Sequence, residues 1–104
     1  MKKRVARVTD RHEGICSHGA PCCPHFVTGT IVEGSEDTYA NGLNVARDGD
    51  LVEHNCPHCG TGWVVASSEA TYVNGKKIAR LEDTVIYQGG SGKIVTASED
   101  VFSD

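Results

Sequence analysis

The stretch CPHFVTGTIVEGSEDTYANG, residues 23–42, returns as CPHCGTGWVVASSEATYVNG, residues 56–75, with twelve of twenty positions identical. A second piece occurs three times: VARVTD at 5–10, VARDGD at 45–50 and IARLED at 78–83. In each, an arginine (Arg7, Arg47, Arg80) stands three residues before an aspartate (Asp10, Asp50, Asp83). The third copy runs through TVIYQGGSG into SGKIVTASEDVF, which aligns with TGTIVEGSEDTY and TGWVVASSEATY. The chain thus reads as one domain, 1–104, built of three units at about 4–43, 44–76 and 77–104. Units this short cannot each bury a face, so they must pack around a common axis. The segments after the three aspartates then leave the body at one end.

Each unit reads as β. TYANGLNVAR and TYVNGKKIAR set Asn-Gly between strand-like runs, and both residues tolerate the positive φ of a type I′ turn. TGTIVEGS and GWVVASS are apolar runs bounded by Gly and Ser. Nowhere do apolar residues recur at helical spacing over ten or more positions, so almost no helix is expected.

The 104 residues are only 38% hydrophobic and 6% aromatic, thin for a self-sufficient core. A metal staple or a partner is therefore expected. The formal net charge of -4, with MKKR as the lone basic cluster, argues against nucleic acid. MKKR is followed by VARVTDRHEG rather than an apolar run, so neither a signal peptide nor a transmembrane segment is expected.

All five cysteines and all five histidines fall in two windows, RHEGICSHGAPCCPH and EHNCPHC. An odd cysteine count interleaved with histidines is unlike a disulfide framework, and Cys/His pairs two or three residues apart have metal-ligand spacing. A disulfide between the loops is the alternative in an oxidising exterior. His12 and His54 read as exposed loop residues. Cys22 and Cys59 read as apolar filler, with Cys59 also able to join Cys56 as a CxxC ligand pair. Trp63 is expected in the core near the axis. The arginines and aspartates of the recurring frame read as structural, the carboxylate accepting turn N–H groups.

Three tandem units with an Ala-Arg-x-x-Asp frame, IV-x-GS strands, NG hairpins and Cys/His loops resemble the PAAR-repeat proteins, over about residues 4–103. The match has departures. The signature proline is replaced in RVAR, NVAR and KIAR, the Gly-Asp pair survives only at Gly49–Asp50, and the third loop has neither Cys nor His. The resemblance implies an all-β pseudo-threefold cone that caps and sharpens the trimeric spike of a contractile phage tail or type VI secretion system. It implies docking of the base on the blunt end of the spike's β-helix, one copy per spike, and transient contact with a target membrane at the apex. It implies a virion or secretion-machine spike tip made in the bacterial cytoplasm, and no enzyme. Family members hold a metal near the apex, usually zinc, with iron the alternative. The quartet favoured here is His18, His25, Cys56 and His58, with Cys16 and Cys23 the nearest substitutes.

Two other functions compete. A zinc-ribbon-like binding module would explain CPHC, but the repeat extends far beyond those ligands. A hydrolase or thiol redox enzyme would need a strand–nucleophile–helix elbow or βαβ context, and neither surrounds the cysteines.

Overall fold

A computed structural model describes residues 3–16, 25–55, 62–68, 71–87 and 90–103. Among them the strands are, in chain order, β1 (Lys3–Arg4), β2 (Arg11–Cys16), β3 (His25–Thr30), β4 (Tyr39–Ala40), β5 (Leu43–Asn44), β6 (Leu51–Val52), β7 (Gly62–Val65), β8 (Tyr72–Val73), β9 (Lys76–Lys77), β10 (Thr84–Tyr87), β11 (Gly90–Ile94) and β12 (Phe102–Ser103). No described residue is helical, as the missing 3.6-residue period requires.

The Asn-Gly pairs make the turns their chemistry favours. Asn41 and Gly42 have φ of 53° and 80°, and Asn74 and Gly75 have the same pair of values, the signature of type I′. They join β4 to β5 and β8 to β9. In the third unit β12 pairs instead with β1, so the two ends of the chain rebuild the hairpin that the other units close with a turn.

The pseudo-threefold axis is visible in the hydrogen bonds. Ala6 N–H donates to Ala79 C=O, Ala79 N–H to Ala46 C=O, and Ala46 N–H to Ala6 C=O, at 2.9, 3.0 and 3.0 Å. All three alanines are fully buried. Three backbones this close to one axis leave room for a methyl group and little more. Isolated bridges Val5–Arg80, Arg7–Val45 and Arg47–Ile78 repeat the relation one step out.

Six strands form the main sheet in the order β3-β2-β11-β10-β7-β6, every pair antiparallel. The sheet curls until its edges meet. Val32 N–H donates to Leu51 C=O, Glu53 N–H to Thr30 C=O, and Asn55 N–H to Thr28 C=O. Tight curling needs strands without side chains at the closest approaches: a Cβ on Gly29 would strike the Glu53 carbonyl, and one on Gly92 the Glu13 carbonyl. Inside lie Val27, Ile31, Val52, Val64, Val85, Tyr87 and Ile94, stacked above the alanine ring. Trp63 is a correction to the sequence reading. Its neighbour Val64 points inward and is fully buried, while the indole lies half-exposed on the outer face. Alternation along β7 leaves room for only one of the two inside.

Each Ala-Arg-x-x-Asp frame is a tight turn. The aspartate N–H donates to the arginine C=O, and its carboxylate accepts the arginine N–H at 2.8, 2.6 and 2.8 Å for Asp10, Asp50 and Asp83. The residue before the aspartate takes positive φ every time: Thr9 at 79°, Gly49 at 84°, Glu82 at 72°. Only glycine adopts this region freely, and a β-branched residue there is an outlier. Thr9 is exposed, so replacing it removes no packing. Thr9→Gly is therefore expected to raise stability by about 1 kcal/mol in denaturant unfolding, and Gly49→Thr to lower it similarly.

Candidate functional site

Two ends of this body carry chemistry. The upper end is where the strands run out into the three variable segments. Cys16 closes β2 and pairs with His25 at the start of β3. Cys16 also pairs with Gly90, Gly90 with Tyr87, and Tyr87 with Gly62. One register line thus joins the strand ends that flank segments 17–24, 56–61 and 88–89. The expected ligand His25 stands on that line, opposite Cys16. His18, Cys56 and His58 lie outside the described residues, as do Cys22, Cys23 and Cys59. Among the described residues no three His, Cys, Asp or Glu side chains come together as a metal site.

Beneath that line sits a histidine the sequence reading misplaced. His12 was expected on an exposed loop; it lies fully buried on β2. Its Nε2 is 2.6 Å from the Glu53 carbonyl and its Nδ1 2.6 Å from the Tyr87 hydroxyl. A carbonyl can only accept, so Nε2 carries the proton and Nδ1 accepts from the phenol. Burial pushes the His12 pKa down from its ordinary value, partly offset by the bond to Glu53. Both ring nitrogens are thus spent on structure rather than on a metal. His54 is half-buried, its ring 5.3 Å from Tyr87. In the aligned repeats Val52 and Val85 stand where His12 does, and this break in the pattern was the available signal.

The lower end, the base, is apolar and threefold. Val5, Val45 and Ile78 are buried around the axis with Ala40 and Val73. Val5, Val45 and Ile78 floor an open cavity of about 300 Å³, walled by Thr38, Thr71 and Val101 with Tyr39 and Phe102. Tyr39 on β4, Tyr72 on β8 and Phe102 on β12 hold matching positions and are 58%, 56% and 54% exposed. Three large aromatics more than half exposed at matching places of three units leave apolar surface open to a partner. The recurring TY-x-NG, read as hairpin, and the final VF that aligns with its TY carried this signal in the sequence.

Between the ends, Arg7 and Arg47 clamp Asp10 and Asp50 through Nε and Nη2 at 3.0 and 3.2 Å, and at 3.1 and 3.1 Å. These bonds hold both guanidinium pKa values above the ordinary one. The third pair is looser. The Ser67 hydroxyl stands between the two, accepting from Arg80 Nη2 at 2.9 Å and donating to Asp83 at 2.8 Å. Arg80 Nε is left buried without a partner. These pairs fix turns, and Arg47 also lines a polar pocket with Glu33, Glu36 and Asp37 of the first unit and Asn74 of the second.

No curated protein matches the chain. The family model of the PAAR motif matches residues 1–60, across the first unit and into the second. The match covers more than half of the sequence and includes two of the three Ala-Arg-x-x-Asp turns that ring the axis, so the chain belongs to the PAAR motif family.

Proposed function

We propose that this chain caps and sharpens the trimeric central spike of a contractile injection machine, docking through its base and piercing a target membrane with its opposite end. PAAR-motif proteins are spike-tip proteins of such machines, associated with a spike protein. The observation that carries the finer reading is the base: three exposed aromatics at matching positions of three units, two of them, Tyr39 and Phe102, lining an apolar hollow on a pseudo-threefold axis. A homotrimer ends in three identical surfaces, and a chain with three near-equal faces can meet all of them with one copy. Large aromatics are the side chains that most often anchor such contacts. The test is binding of the purified chain to a spike trimer from the same genome. One chain per trimer is expected, and Tyr39→Ser with Tyr72→Ser is expected to weaken binding at least tenfold. Wild-type affinity in that double variant, or three chains per trimer, would refute it.

At the opposite end we assign a metal, zinc or iron, to a set drawn from His18, His25, Cys56 and His58, with Cys16 and Cys23 in reserve. The support is the register line that gathers the flanking strand ends, together with donor types that suit a closed tetrahedral zinc site. Bound there, the ion would tie together the segments that those strand ends lead into. Elemental analysis is expected to return about one ion per chain, and His25→Ala to lower that content. Metal-free protein of unchanged stability would count against the assignment.

A further inference from the structure

The outer face of the main sheet carries a row of side chains used by neither end. Phe26 on β3 pairs with Ile15 on β2, Ile15 with Ser91 on β11, and Ser91 with Ile86 on β10. Ile86 then pairs with Trp63 on β7, and Trp63 with Leu51 on β6. Directly paired residues of a sheet point to the same face, so these six form one continuous line across all six strands. Five of the six are apolar. Phe26, Ile15 and Leu51 are 55%, 51% and 42% exposed, and Trp63 and Ile86 are half-buried. At the seam, Leu51 C=O accepts from the N–H of exposed Val32, so the line runs on past β6 and winds around the body. The next outward line toward the base is of another kind: Thr28, Glu13, Lys93 and Thr84, with Val65 at its end.

We infer that this winding apolar line is a lipid-contact surface, and that its occupant is the interfacial region of a phospholipid bilayer. The inference rests on the spike-tip reading, and names the side chains with which such a tip would meet the membrane. Three features favour lipid over a protein partner. The line crosses every strand of the sheet, so a partner on one flank would cover only part of it, whereas a surrounding medium covers it all. Its most exposed members, Phe26 and Ile15, adjoin the strand ends that lead into segment 17–24, away from the aromatics of the base. Successive outward lines are about 7 Å apart, on the scale of the 5–10 Å to which interfacial apolar faces sink. A sunk apolar line would therefore leave Glu13 and Lys93 near the headgroups. Phe and Trp are side chains suited to that boundary.

The chain contains a single tryptophan, and it stands in the line, so the protein carries its own probe. Purified protein mixed with phosphatidylcholine vesicles is expected to show a blue-shifted Trp63 emission, quenched when the acyl chains are brominated. Phe26→Ser with Ile15→Ser should lower the vesicle-bound fraction at least tenfold, since each removes apolar surface from the contact. Both residues are exposed, so the variant should fold, and unchanged binding to the spike trimer verifies that it has. Absence of quenching by brominated lipid, or equal vesicle binding by the double variant, overturns the inference. So does a Trp63 shift that grows with protein concentration without lipid, which assigns the line to a second copy. Failure of wild-type protein to bind the spike trimer, with lipid quenching intact, removes the spike-tip reading instead.

Discussion

Asp50→Ala is expected to cost about 3–5 kcal/mol, the largest loss of any single exchange in the three turns. Asp50 is fully buried, and its carboxylate accepts the Arg47 backbone N–H at 2.6 Å, Nε at 3.1 Å and Nη2 at 3.1 Å. Truncation removes all three bonds at once and leaves a guanidinium only 12% exposed without its counter-ion. Arg47 cannot swing out to water without also giving up the Gly34 carbonyl and Asn74. Asp83→Ala should cost less, because Arg80 lies 3.8 Å from that carboxylate and already leaves Nε unpaired. Urea unfolding at fixed metal content measures both. A loss below about 1 kcal/mol for Asp50→Ala, or a larger one for Asp83→Ala, would show that these pairs only decorate the turns. Arg47→Met combined with Asp50→Ala should recover part of the loss, since no buried charge then stands alone.

The sequence was most legible where the backbone itself repeats. Ala-Arg-x-x-Asp marks a turn closed by its own side chain, and Asn-Gly marks a turn that needs two positive φ values. Both are local, so the three Ala-Arg-x-x-Asp frames became three turns in space and the two Asn-Gly pairs two hairpins. Thr9 and Glu82 show how strongly the frame dictates geometry: they hold a glycine conformation without being glycine. What stayed hidden depends on contacts across units. Whether Trp63 or Val64 faces inward is a matter of register, and one residue of slip exchanges the two faces of a strand. The burial of His12 depends on Glu53 and Tyr87, which come from the second and third units. The base aromatics were present in the repeats but read as hairpin residues, because a hairpin needs an aromatic for packing as readily as a partner needs one for docking. Likewise the winding outer line exists only once the order of β3, β2, β11, β10, β7 and β6 is known.

Loss of the His12 ring should be the second large effect, and pH should reveal it even without mutation. Val52 and Val85 occupy the matching layer, so His12→Val fits the space and isolates the polar contribution. It strips the Glu53 carbonyl of the Nε2 donor and the Tyr87 hydroxyl of the Nδ1 acceptor, for a combined cost of about 2–4 kcal/mol. In the native protein, burial depresses the His12 pKa below the unfolded value of about 6.5. The unfolded chain therefore binds the proton more readily than the folded one. Stability from the neutral ring is whole above about pH 6.5 and is lost as pH falls through the lower, folded value. Protonation also gives both nitrogens a hydrogen, so the Tyr87 hydroxyl can no longer donate to Nδ1. Unfolding midpoints taken from pH 7.5 to pH 5 should fall for wild type and fall less for His12→Val, with the gap between the two narrowing in acid. Parallel pH profiles would mean that this histidine titrates alike in both states, and that the buried pair with Tyr87 contributes nothing to the acid sensitivity of the fold.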